Sequence, residues 1–204
     1  MLEKNSLVLF QGDSITDTGR TGSADPATSL GEGYPAKIAE KLADLGIKVI
    51  NRGISGNRTW DLLDRWDKDC IDIKPDYVSL LIGVNDTWRR YDSGMVTTAE
   101  EYENNMRTLL DRIKNETSAK IILLNIFLLD VTPDKAQMRP DLLEKQEVIY
   151  RLAKDYDVTF VDLSRIFDDM VASGTAMEEI SADGVHPTDF GHAVIAEEWL
   201  KAVL

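Results

Sequence analysis

The sequence predicts a three-layer α/β/α sandwich built on a five-stranded parallel sheet, and three observations lead to it. Five short, nearly continuous apolar runs recur along the chain, each bounded by Gly, Pro, Asn or Asp. Longer segments whose apolar residues are spaced by three and four separate these runs. Runs without polar alternation suit strands covered on both faces, and strands connected through helices pair in parallel by right-handed crossovers.

In chain order, residues 7–10 (LVLF) are the first expected strand and residues 34–45 the first long helix, because Pro35, Ile38, Ala39, Leu42 and Leu45 share one helical face. Residues 48–51 (KVIN), 77–82 (YVSLLI), 120–126 (KIILLNI) and 158–161 (VTFV) supply the other strands. Helical patterns cover residues 59–69, 98–115, 138–156, 163–173 and 188–204. Residues 18–33, rich in Gly, Ser and Thr, are long for a connection and are expected to form a rim loop or a contact between copies.

With 204 residues the chain can bury one sizeable core, so residues 1–204 are expected to be a single domain. A formal net charge of −13 without a basic cluster argues against a nucleic-acid partner. No apolar run approaches the ~18 residues of a membrane span, and the N-terminal run is too short for a secretion signal. A cytoplasmic protein without a membrane partner is expected. Cys70, the single cysteine, cannot form an intramolecular disulfide and reads as a small buried side chain.

In parallel α/β sheets ligands bind beyond the carboxyl ends of the strands, so chemistry is sought there. Three glycine-bearing polar segments follow such runs, Gly12-Asp13-Ser14, the stretch from Arg52 to Asn57 and Gly83-Val84-Asn85-Asp86, and a fourth, Ala182-Asp183-Gly184-Val185-His186-Pro187, follows the last helical stretch before the terminal one. A serine nucleophile needs a base, and the chain has two histidines. His192, near the start of the terminal helix, reads as a packed or capping residue. His186 lies in a turn before Pro187, and Asp183, three residues earlier, can meet its Nδ1–H and leave Nε2 free as a base for Ser14. Acyl transfer also needs oxyanion donors, which the backbone N–H groups of Ser14 and Gly56 and the Asn85 amide can provide.

The segments GDSIT, GISGN, GVND and DGVHP, in this order, resemble the four sequence blocks of the SGNH (GDSL) hydrolases. The resemblance implies Ser14 as nucleophile, Asp183 and His186 as its partners, and Ser14, Gly56 and Asn85 as the oxyanion hole, with Gly56 rather than Gly53 as the block glycine. It also implies a flavodoxin-like sheet. The longer stretches GDSITDTGR, NRGISGNRTWDLLDRWDKD, KPDYVSLLIGVNDTWRRYD and DGVHPTDFGH are similar to bacterial intracellular acetylxylan esterases. The implied activity is a serine esterase that removes short acyl groups, acetyl above all, from carbohydrates such as xylo-oligosaccharides through an acyl-enzyme.

Other readings are weighed against this one. A thioesterase or lysophospholipase acting on longer acyl chains is the alternative within enzymes, and a non-catalytic flavodoxin-like binding module lies outside them. The G-x-S-x-G elbow is absent, and Ser55 reads as the turn that aims the Gly56 N–H. Gly31-Glu32-Gly33-Tyr34-Pro35-Ala36 matches a dinucleotide fingerprint formally, but it does not follow a strand and Pro35 lacks an N–H. No metal-ligand motif occurs, so no metal or cofactor is expected. Trp88 is expected to face a sugar ring or wall the acyl pocket, or else to pack within a loop. Trp60 and Trp66 read as core or interface residues, Asp13 as an acceptor that fixes its loop, and a homo-oligomer is allowed.

Overall fold

The computed structural model describes residues 1–204. Its strands are β1 (Leu7–Gly12), β2 (Lys48–Asn51), β3 (Tyr77–Leu81), β4 (Lys120–Leu124) and β5 (Thr159–Val161). They form one sheet in the order β2-β1-β3-β4-β5 with every neighbouring pair parallel. This is the flavodoxin-like arrangement, and the strand order reverses at the β1/β3 crevice. The helices are α1 (Ser14–Asp17), α2 (Tyr34–Leu42), α3 (Thr59–Trp66), α4 (Val84–Asp92), α5 (Ala99–Glu116), α6 (Pro133–Asp155), α7 (Leu163–Ala172), α8 (Met177–Ile180) and α9 (Asp189–Val203).

Strand pleating sends successive side chains to opposite faces, which splits the apolar runs between two cores. Val8, Phe10, Leu81 and Leu124 pack with Tyr34 and Ile38 of α2 and with Ile195 and Trp199 of α9. Leu9, Val78, Leu80 and Leu123 pack on the other face with Leu62 and Trp66 of α3, Met106 of α5 and Ile149 of α6. Phe10 lies between Tyr34 and Trp199, with ring centroids 5.5 and 5.4 Å away. Truncating such a buried ring costs about 3–5 kcal/mol. Ser79, the polar residue inside YVSLLI, is buried and accepts the Trp199 Nε1–H at 2.9 Å.

Besides adding the short helices α1 and α8, the structure departs from the expected elements in two places. Residues 84–92 (VNDTWRRYD) are the helix α4, so Trp88 is helical and not part of a loop. Helix α6 begins at Pro133 in place of residue 138 and runs through Pro140, which lacks the N–H that would bond the Ala136 carbonyl. Residues 18–33 fold back against the sheet. Buried Arg20 donates to the carbonyls of Gly53 and Pro26, and Asn51 Nδ2 donates to the Leu30 carbonyl. Cys70 is fully buried, as is Trp66, whereas Trp60 is exposed.

Candidate active site

The carboxyl end of β1 delivers Ser14 as the first residue of α1. Gly12 is required there because a Cβ would collide with the Thr16 side chain and the Leu81 carbonyl. Asp13 caps α1, accepting the Ile15 N–H at 3.0 Å. It is therefore the loop-fixing acceptor expected from sequence, and burial pushes its carboxyl up to about 7. The Ser14 N–H, first in the helix, has no intrahelical acceptor.

The turn between α8 and α9 brings His186 to the serine. Ser14 Oγ and His186 Nε2 are 2.9 Å apart, and His186 Nδ1 and Asp183 Oδ2 are 2.7 Å apart. Asp183 Oδ1 also accepts the backbone N–H groups of Val185 and His186, at 2.9 and 2.7 Å. Burial pushes the Asp183 carboxyl up, but the hydrogen bonds from the His186 ring and from these amides outweigh it and hold it at about 2. An ionised carboxylate only accepts, so Nδ1 carries the ring proton and Nε2 is free to accept from Ser14. Leu129 N–H donates to the Gly184 carbonyl at 2.9 Å, tying this turn to the loop after β4.

Gly56 and Asn85 face the same cleft. Gly56 has φ +81°, a conformation that favours glycine, and an added Cβ would come within 3.3 Å of the Arg89 guanidinium. Its N–H has no acceptor within the chain. Asn85 lies in the first turn of α4 and uses one amide N–H to bond the Asn57 carbonyl at 3.1 Å, leaving the other for a ligand. Ser14, Gly56, Asn85, Trp88, Arg89 and His186 line a cleft of about 230 Å³, with Ser55 at its edge. The Trp88 ring lies 6.0 Å from the His186 ring, and Lys135 Nζ sits 4.2 Å over it, fixing its position. Every site residue expected from sequence is therefore in or directly behind this one cleft. His192 is not: its Nδ1 accepts the Tyr34 N–H at 3.3 Å, and burial lowers the imidazole to about 4.

Three residues that hold the site escaped the sequence reading. Buried Asp17 accepts both the backbone N–H and the hydroxyl of Ser55 at 3.0 Å, and also bonds Thr21. Arg65 of α3 donates to Asn57 Oδ1 at 2.9 Å and Gln11 Oε1 at 3.1 Å, linking the Gly56 loop to β1. Buried Asp86 accepts from Thr59 N–H and, at 2.6 Å, from its hydroxyl, linking α4 to the start of α3. Asp17 offered a faint signal, being an acid on the same short helix as Ser14. Asp86 stands inside the GVND block without a sign of its bond to Thr59, and Arg65 carries no signal, because its partner on β1, Gln11, lies far away in sequence.

Residues 10–194 match the GDSL-like lipase/acylhydrolase family. The chain belongs to that family. As a GDSL-like hydrolase it is a carboxylic ester hydrolase. It is 34% identical over 206 residues to an acetylxylan esterase from Geobacillus stearothermophilus, covering 96% of this chain and 93% of that one. The crystal structure of that esterase superposes with a TM-score of 0.85 over 98% of this chain and 94% of the other. Its solved catalytic mutants replace a serine, an aspartate and a histidine by alanine, the last two spaced by three residues like Asp183 and His186. A crystal structure described as a GDSL-like lipase from Parabacteroides merdae is 36% identical, with a TM-score of 0.89 over 99% of this chain and 97% of that one.

Proposed function

We propose that this hydrolase removes short acyl groups, acetyl above all, from acylated carbohydrates such as xylo-oligosaccharides. The observation that carries the reading is the Asp183–His186–Ser14 relay, at 2.7 and 2.9 Å, opening into a cleft of only about 230 Å³. Small-molecule pockets usually span about 300–1,000 Å³, so this one suits a short acyl group better than a long chain. The kinship with an enzyme described as an acetyl-xylooligosaccharide esterase supports the substrate class.

Ser14 Oγ attacks the ester carbonyl carbon while its proton passes to His186 Nε2, and the anion of Asp183 stabilises the imidazolium that forms. The negative carbonyl oxygen is held by the N–H groups of Ser14 and Gly56 and by the Asn85 amide. Collapse of the tetrahedral intermediate breaks the bond to the sugar oxygen, which leaves with the proton from Nε2. Water then gives a proton to the same nitrogen and attacks the acyl-enzyme, releasing acetate and returning Ser14 to its hydroxyl form.

No group of three or more His, Cys, Asp or Glu side chains is arranged to hold a metal ion. No helix is long and apolar enough to cross a membrane.

The test is an acyl-chain series from acetate to octanoate, followed by acetylated xylo-oligosaccharides. Highest kcat/KM on acetate and turnover of the acetylated sugars are expected. A preference for octanoate would favour the thioesterase or lysophospholipase reading instead.

A further inference from the structure

A cleft of about 230 Å³ cannot enclose an oligosaccharide together with its acetyl group, so most of such a substrate must lie on neighbouring surface. Beside it runs an open groove of about 590 Å³ between Arg58, Trp60, Met95 and the start of α5. The two adjoin. Gly56 in the cleft and Arg58 in the groove are two residues apart, and the carbonyl of Arg89, a cleft residue, accepts the N–H of Met95, a groove residue, at 3.0 Å.

The groove presents one aromatic plate among uncharged or half-used polar groups. Trp60 is 46% exposed although it sits on a helix of the core layer. The Arg58 guanidinium lies 4.6 Å from the centroid of its ring and is paired with Asp61, which fixes the ring without leaving a free charge. In the same groove, the Asn104 side chain bonds nothing in the protein, Asn105 keeps Oδ1 free after giving Nδ2 to Thr59, and Glu101 keeps Oε1 free after bonding Thr98 with Oε2. A flat apolar face in one groove with amide and carboxylate oxygens matches a sugar ring, which has C–H faces and a hydroxyl edge.

We propose that this groove is a second sugar subsite that holds the part of a neutral oligosaccharide beyond the residue being deacetylated, with Trp60 as its platform. The inference rests on the carbohydrate-ester reading above. A subsite remote from the scissile bond contributes equally to ground and transition states, so its loss raises KM and leaves kcat nearly unchanged.

The experiment compares the full chain with Trp60→Ala, Trp60→Phe and Asn104→Ala on nitrophenyl acetate, an acetylated single xylose and acetylated xylo-oligosaccharides of at least three sugars. Trp60→Ala is expected to raise KM for the oligosaccharides about tenfold, the scale of one stacked ring. It should leave both smaller substrates unchanged, and Trp60→Phe should keep most of the affinity. An oligosaccharide KM unaffected by Trp60→Ala would overturn the subsite. So would a loss of self-association in light scattering with unchanged kinetics, which would make the groove a contact between copies. Turnover of nitrophenyl acetate by the unaltered chain without turnover of any acetylated sugar would remove the underlying substrate reading, and the subsite with it.

Discussion

Asp17 and Ser55 are joined twice across the site, Ser55 donating its backbone N–H and its hydroxyl to the same Asp17 oxygen at 3.0 Å. Asp17 sits on the helix that begins with Ser14, and Ser55 immediately precedes Gly56. This pair therefore ties Ser14's helix to the Gly56 loop, and so holds the proposed nucleophile and oxyanion donor at a fixed separation. Asp17→Ala is expected to lower kcat on the order of 10²-fold with little change in KM, as small misplacements in a preorganised site do. Asp17→Asn, which keeps one acceptor oxygen, should fall in between. An equal rise in KM with kcat intact would show that Asp17 does not position the oxyanion hole.

Asn85 holds its amide in place through the Asn57 carbonyl and aims its remaining N–H into the cleft. Asn85→Ala is expected to reduce kcat by about 10²–10³-fold, the usual consequence of losing one oxyanion donor. Steady-state kinetics on nitrophenyl acetate measures this, and a loss confined to KM would contradict the role.

The pH dependence of kcat/KM follows from the relay. Protonated His186 cannot accept the Ser14 proton, so activity should fall as pH is lowered. Asp183, held at about 2, stays ionised throughout that fall. The acid limb is therefore expected to report the uptake of a single proton. A limb that requires two protons would contradict an Asp183 carboxylate that stays ionised.

Asp13 makes a prediction about stability. Its carboxyl, 3.8 in ordinary surroundings, is raised to about 7 by burial, so folding favours the protonated form. Its contribution is thus complete below about pH 4 and is lost as pH rises through about 7, a change of up to roughly 4 kcal/mol. Asp86, raised to about 6 by burial, acts in the same direction, while His192, lowered to about 4, acts in the opposite one. The difference between two chains isolates the Asp13 contribution. Asp13→Asn, which keeps an oxygen for the Ile15 N–H, should gain stability over the unaltered chain steadily from pH 4 to pH 8 in urea unfolding. Parallel curves for the two chains would contradict the raised titration.

Much of this site was legible because three of its blocks fall directly after apolar runs. LVLF announces β1 and hence the exposed strand end at Ser14, and Gly184 and Pro187 flank the turn that holds His186. Helix α4 was hidden because VNDTWRRYD is strongly polar, with only Val84 and Trp88 to mark an inward face. The early start of α6 was hidden by Pro140, which reads as a break, although Pro133 at its first turn is a favourable beginning. Nothing in the sequence sets Arg65 apart on its amphipathic helix. Its role exists only because β1 and the Gly56 loop meet beside it, which is information held in tertiary structure alone.

The central claim is that Ser14 carries the acyl group between ester and water. It is tested most directly by acid-quenching the enzyme during turnover of nitrophenyl acetate and mapping the modified peptide by mass spectrometry. The peptide containing Ser14 is expected to gain the mass of one acetyl group, and Ser14→Ala should show neither the adduct nor turnover. Continued turnover with no acetyl on Ser14, or turnover retained in Ser14→Ala, would contradict the account.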